Sequence, residues 1–115
     1  MTFDYQAEKL GEARKSLATV LPGGEAEALA DALHWCSQGL HQLDVTAVDE
    51  GVHHWLAVVQ AALDTAGLED PAGIGVWTVK ALQMSADQRL EFKRAVDALA
   101  SWFAKYSSAP GARRR

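Results

Sequence analysis

The sequence predicts an all-α fold, a compact antiparallel bundle of four to five helices, on three observations. Apolar residues recur at helical spacing in five successive segments. No segment alternates apolar and polar residues with the period of a strand, and no Asn-Gly or Asp-Gly pair marks a hairpin. A chain of 115 residues can bury one core without disulfides. We expect one helical domain over residues 1–107 and a short, disordered and basic tail over residues 108–115.

The first predicted helix carries its apolar residues on one side. Phe3, Leu10 and Leu17 recur at helical spacing, with charged residues between them. The segment Leu21-Pro22-Gly23-Gly24 ends this helix, because proline and paired glycines do not continue one.

The second predicted helix runs from about Glu25 to Gln42 and has an unusually wide apolar face. One stripe is formed by Ala26, Leu29, Leu33, Cys36, Leu40 and Leu43, and the stripe beside it by Ala28, Ala32, Trp35 and Gly39. This width predicts a central helix, and Gly39 predicts a close approach of a neighbouring backbone. The small-residue stripe could instead seat a second chain, with Trp35 as its anchor.

Capping signals delimit the last three predicted helices. The third runs from about Thr46 to Thr65, after a cap at Asp44 or Thr46. Asp70 caps a fourth helix from about Pro71 to Met84. Ser85 begins the fifth, and Gln88 three residues later completes a capping box. The residues predicted to be core are Leu33, Leu40, Val52, Val59, Leu99 and Phe103. Three of the four tryptophans (Trp35, Trp55, Trp77 and Trp102) are expected to fill core volume.

Charge is segregated along the chain. Residues 16–79 contain no lysine or arginine but hold all four histidines. The carboxylates of this interval are Glu25, Glu27, Asp31, Asp44, Asp49, Glu50, Asp64, Glu69 and Asp70. Such a pattern favours a partner protein with a basic surface. The formal net charge of −4 argues against direct nucleic-acid binding and against anionic lipid.

The candidate partner-binding surface is a polar row along the second helix, formed by Glu27, Asp31, His34, Gln38 and His41. If the second and third helices form a hairpin turning near Asp44, His34 faces His54 and Gln38 faces Glu50. The predicted partner-binding residues are Glu27, Asp31, His34, Trp35, Gln38, Glu50 and His54.

Two alternatives stay open for the same residues. Asp31, His34, Glu50 and His54 could surround one zinc or iron ion, because carboxylates and imidazoles are common ligands of these metals. An acidic helical face could also mimic a nucleic acid and occupy a cationic groove. A bundle that binds such a metal could also be catalytic.

The sequence otherwise predicts a non-enzymatic regulatory or adaptor module without a cofactor. Cys36 lies on the inner stripe of its helix, and no serine sits in a Gly-x-Ser-x-Gly elbow. A single cysteine favours a reducing, cytoplasmic location. No stretch is long and apolar enough to span a membrane. Homo-oligomerisation stays open, and the alanine-rich composition favours a bacterial or phage type of protein.

Overall fold

A computed structural model describes residues 3–19, 24–41 and 43–106. These residues form a compact all-α bundle of five helices, without a strand, as the sequence predicts. The α-helices are α1 (Asp4–Ala18), α2 (Gly24–Gly39), α3 (His53–Ala62), α4 (Val76–Gln83) and α5 (Ala86–Lys105). Two short 3₁₀ turns, Val45–Ala47 and Glu50–Val52, connect α2 to α3.

The packing order of the helices differs from their order along the chain. α1 packs against α2 and α5, α2 also packs against α4, and α3 packs mainly against α5. The core lies between these helices, and its largest fully buried side chains include Phe92, Phe103, Leu10, Leu29 and Leu33. α5, the longest helix, therefore joins α1 to α3, and α2 joins α1 to α4.

A close helix contact lies between α1 and the end of α2. A Cβ added to Gly39 would lie 2.8 Å from Leu10 Cδ2 and 2.9 Å from Lys9 Cβ. Such distances are shorter than van der Waals contact, so only glycine lets the two helices meet without a shift. Ala28 and Ala32 on the same stripe are buried. The close approach predicted at Gly39 is therefore present, and its partner is α1.

The start of α5 matches its predicted sequence signal. Ser85 Oγ accepts a hydrogen bond from the Gln88 N–H at 3.1 Å. Gln88 Oε1 in turn accepts one from the Ser85 N–H at 2.8 Å. The predicted capping box is confirmed, and it satisfies two backbone donors at this end.

The predicted starts of α3 and α4 were too early. Asp44 caps only a short 3₁₀ turn, and α3 itself begins at His53. The two Asp70 carboxylate oxygens accept from the backbone N–H groups of Ile74 and Gly75, at 2.9 and 2.8 Å. These bonds form a loop in place of a first helical turn. Gly75 has a φ of 101°, outside the helical range, so α4 begins at Val76.

Most of the predicted core residues are buried. Leu33, Val59, Leu99 and Phe103 are fully buried. Leu40 and Val52 pack against the core but remain partly exposed, because both lie at the ends of their elements. All four tryptophans are likewise partly buried and packed against the core, so none is enclosed by it.

Some sequence expectations fall outside the described residues. These are the breaker at residues 21–23 and the tail over residues 108–115. The helices α1 and α2 end at Ala18 and Gly39, before the predicted ends at Leu21 and Gln42. Within the described parts of the chain, no helix combines the length and apolar character needed to cross a membrane.

The contact at Gly39 predicts that a glycine-to-alanine substitution has opposite effects on stability at Gly39 and at Gly11. Gly39→Ala should lower the free energy of unfolding by about 1–3 kcal/mol, because the added methyl overpacks against Leu10 and Lys9. Gly11, within α1, has open space around its Cβ position. Gly11→Ala should therefore raise that free energy by roughly 0.5–1 kcal/mol. Urea unfolding of both variants measures the difference, and equal stabilisation would contradict the close contact.

Two leucines of α5 differ in their burial. Leu99 is fully buried, whereas Leu90 is 48% exposed. Leu99→Ala should lower the free energy of unfolding by about 2–5 kcal/mol, and Leu90→Ala should change it far less. Chemical denaturation of the two variants tests this phase of α5. A larger loss at Leu90 would mean that the helix is rotated from the orientation described.

Candidate interaction surface

The polar row of α2 is present on the solvent side of the bundle. Glu27, Asp31 and His34 are exposed and Gln38 is half-buried. Their spacing of four, three and four residues keeps the side chains on one helix face. The row lies on α2 away from its buried residues, which pack toward α1, α4 and the core. Four of the predicted partner-binding residues therefore share one surface.

Two side-chain contacts orient this row. Ser16 Oγ, on α1, donates a hydrogen bond to Asp31 Oδ2. Gln38 Nε2 lies 3.3 Å from His34 Nε2, one helical turn away. The first contact ties the row to α1, and the second restrains an imidazole in the middle of the row. Both reduce the side-chain entropy that binding would otherwise cost.

Trp35 borders the row and is half-buried. Its ring packs edge-on against His34, with centroids 5.4 Å apart. Lys9 Nζ lies 5.0 Å from the centre of the Trp35 ring and 5.3 Å from that of Tyr5. The small-residue stripe suggested as a seat for a second chain is thus occupied by α1 of the same chain. Part of the Trp35 ring remains accessible beside His34.

Glu50 and His54 do not join the α2 row, and the predicted hairpin of α2 and α3 is wrong. A cavity of about 260 Å³ is lined by Ser37 and His41 of the α2 end together with Gln60 and Asp64. The carboxyl ends of α2 and α3 are therefore neighbours, whereas an antiparallel hairpin would place the end of α2 beside the start of α3. The structure has no register that pairs His34 with His54 or Gln38 with Glu50. Tertiary packing of α3 on α5 overrides the short connection.

The metal alternative loses its geometric basis for the same reason. Within residues 3–19, 24–41 and 43–106, no three His, Cys, Asp or Glu side chains come together as possible metal ligands. Asp31 and His34 lie on α2, whereas Glu50 lies in the second 3₁₀ turn and His54 on α3. The neighbouring histidine, His53, contacts the backbone: its Nε2 lies 2.9 Å from the Val48 carbonyl oxygen. An N–H at that nitrogen donates to the carbonyl and holds the 3₁₀ segment against α3.

Cys36 is buried in the core as predicted. Burial raises the pKa of its thiol to about 12. The thiolate form, which is the nucleophile, is therefore disfavoured at neutral pH. This geometry suits packing rather than covalent catalysis.

Several acidic residues between 16 and 79 bind the backbone locally. Asp44, Asp49 and Asp64 each accept a hydrogen bond from the N–H two residues later, at 2.9–3.0 Å. Asp70 accepts two such bonds in its own loop. Aspartate commonly fills this position because its short side chain reaches the following backbone. These four carboxylates order the connections rather than continue the α2 row, which weakens the case for a nucleic-acid mimic.

An ion-pair triad between α2 and α5 was not predicted. Glu25 Oε1 accepts from Arg89 at 2.8 Å, and Glu25 Oε2 accepts from Lys93 at 2.6 Å. The hydrogen bond from Lys93, followed by that from Arg89, holds the pKa of Glu25 below its ordinary value of 4.5. The spacing of Arg89 and Lys93, one turn apart on a helix, is the only sequence signal for this site. It does not identify the carboxylate that they share.

A groove between α3, α4 and α5 was also missed. It encloses about 380 Å³, and its walls include Val58, Ala61 and Phe92, with Lys80 and Glu91 among its polar residues. His54 lines this groove, which gives that predicted residue a different neighbourhood from the α2 row. The signal that could have found it is the exposed alanine pair Ala57 and Ala61 on α3, opposite the core stripe of that helix.

Comparison with known proteins finds no matching family model, no similar curated protein and no similar solved structure. Functional inference therefore rests on the chemistry of these surfaces.

The Glu25 triad predicts a pH-dependent contribution to stability. Because the folded-state pKa of Glu25 is lowered, its contribution is present above the unfolded value and is lost as pH falls through the folded value. Glu25→Gln should therefore lower stability modestly at pH 7 and converge with the parent protein in acid below pH 4.5. Urea unfolding across this range measures the gap. Glu69→Gln, a control at an exposed carboxylate in the loop between α3 and α4, should show no comparable gap at pH 7. A pH-independent gap for Glu25→Gln would contradict the triad.

Proposed function

We propose that this protein is a small, non-enzymatic interaction module that binds a partner protein with a basic surface through the exposed row of α2. The observation that carries the proposal is the outward position of Glu27, Asp31, His34 and Gln38 on one helix face. The contacts of Asp31 with Ser16 and of His34 with Gln38 support it, because a pre-ordered surface loses less entropy on binding.

The charge of the row supports a basic partner. α2 carries no lysine or arginine of its own. Arg89 and Lys93 of α5 pair with Glu25 at the start of α2, and Lys15 of α1 pairs with Glu12 at 3.6 Å. The carboxylates of Glu27 and Asp31 lie on the exposed face of this helix. Such a face attracts a cationic surface and speeds its association.

Trp35 supplies the apolar part of the proposed interface. It lies beside His34 and is partly accessible, and tryptophan is enriched among residues that dominate binding energy. Lys9, above the ring, restrains it from the α1 side. Contact with a partner at Trp35 remains a prediction. Glu50 and His54 lie on other elements and are left out of the proposed surface.

Binding is favoured over catalysis by the nature of the polar groups. The row is solvated rather than enclosed, whereas catalytic groups act in sites that exclude water. The one thiol is buried in the core. A chain with a single buried cysteine is compatible with a reducing compartment, so we place the proposed regulatory or adaptor role in the cytoplasm.

A matched pair of charge variants tests the proposal. Glu27→Lys combined with Asp31→Asn changes the charge of the row by three units and keeps an acceptor for Ser16. Glu50→Lys combined with Glu69→Gln makes the same change on exposed residues outside the row. Capture from the native cell, followed by mass spectrometry, should enrich a basic protein with the parent and the second variant but not with the first.

Association kinetics with the captured protein then separate charge from folding. The α2 variant should associate at least about tenfold more slowly at low salt, and the difference should shrink at high salt. Circular dichroism verifies that both variants remain helical. Equal association rates for the two variants would contradict the proposed surface.

A further inference from the structure

The groove between α3, α4 and α5 has the composition of a small-molecule site. Its apolar walls include Val58, Ala61, Met84 and Phe92. Its volume of about 380 Å³ lies within the range of ligand pockets, which are mostly apolar with a few polar groups. From His54 to Ala61 along α3 the groove extends about 10 Å, at the helical rise of about 1.5 Å per residue. This space suits an alkyl or aryl body of medium length.

Lys80 is the lysine that lines the groove, and its ammonium group has few partners. Within the described residues, four lysines and arginines are half-buried: Lys9, Lys80, Arg89 and Lys93. Lys9 lies over two aromatic rings, and Arg89 and Lys93 share Glu25. Lys80 Nζ instead donates to the Asp64 carbonyl oxygen at 3.0 Å and makes no ion pair with a described residue. The bond to Asp64 is exposed to solvent, so a ligand can reach the ammonium group without displacing an ion pair of the described residues.

The bond to Asp64 also positions the ammonium group. An ammonium has three N–H donors, so one is used by the carbonyl and two remain for a ligand. Among the residues that the structure describes, Lys80 is the only lysine or arginine lining the groove. A carboxylate is the ligand group that meets this ammonium with charge-assisted hydrogen bonds.

We propose that this groove binds a small amphipathic carboxylate, with its apolar body on Val58, Ala61 and Phe92 and its anionic group on Lys80. Glu91 also lines the groove but is exposed, so water screens its repulsion of the ligand. The site goes beyond the α2 surface and is independent of it, since no residue of the α2 row lines the groove.

Three probes of equal chain length test the site: decanoate, decanol and decylamine, each below its micelle concentration. Isothermal titration calorimetry should give saturable binding of decanoate, with decanol weaker by about tenfold or more, because it lacks the charge-assisted bond. Decylamine should bind more weakly still, because Lys80 repels it. Absence of saturable decanoate binding would overturn the proposal. Equal binding of all three probes would show an apolar groove without anion recognition and would also overturn it.

Matched variants locate the binding. Lys80→Gln should weaken decanoate about tenfold and leave decanol unchanged. Lys105→Gln, at the exposed end of α5, should change neither. Ala61→Trp should fill the groove and abolish binding of both ligands, whereas Ala18→Trp, at the exposed end of α1, should not.

Glu91→Gln should change decanoate affinity in the direction opposite to Lys80→Gln. Removing this carboxylate should tighten decanoate about twofold or more without affecting decanol, because only the anion is repelled. Circular dichroism establishes that each variant is folded. Unchanged decanoate affinity in folded Lys80→Gln and Ala61→Trp would place the ligand elsewhere and overturn the assignment.

Discussion

The close packing of α1 on α2 is the constraint on which the rest of the structure depends. At Gly39 the two helices approach so closely that a single added methyl would overlap Leu10 and Lys9. This contact uses the small-residue stripe of α2, and α4 packs against α2 as well. The remaining side of α2 carries Glu27, Asp31 and His34 and must therefore face solvent. The same contact leaves α3 to pack on α5, and the groove beside Lys80 follows from that placement.

The fold also changes the meaning of the charge pattern. Along the sequence, the acidic interval is separated from every lysine and arginine, but α5 brings two of them to Glu25. Four aspartates of the interval bind backbone N–H groups in connections. The negative surface of this interval is consequently narrower than the sequence suggests, and its part on α2 consists of Glu27 and Asp31. A narrow, pre-ordered row suits recognition of one basic protein surface better than general attraction of cations.

The sequence was informative where local chemistry decides structure and uninformative where packing does. Ser85 and Gln88 form a capping box from backbone bonds within one turn, so their pattern predicted α5 directly. Asp44 and Asp70 were also recognised as caps, but a side chain that binds a loop gives the same signal as one that begins a helix. The order of helix packing is set by side chains far apart in sequence, such as Leu10 and Gly39. Periodicity does not encode such pairs, and for this reason the α2–α3 hairpin and the site divided across it were predicted incorrectly.

The most direct test of this account is the spatial neighbour of α2, measured by nuclear Overhauser effects. The α1–α2 contact predicts a strong effect between the methyl protons of Leu10 and the α protons of Gly39. An α2–α3 hairpin would instead produce effects between the imidazole protons of His34 and His54. Observation of the first without the second supports the exposed α2 row. Observation of the second without the first would contradict both the packing and the surfaces inferred from it.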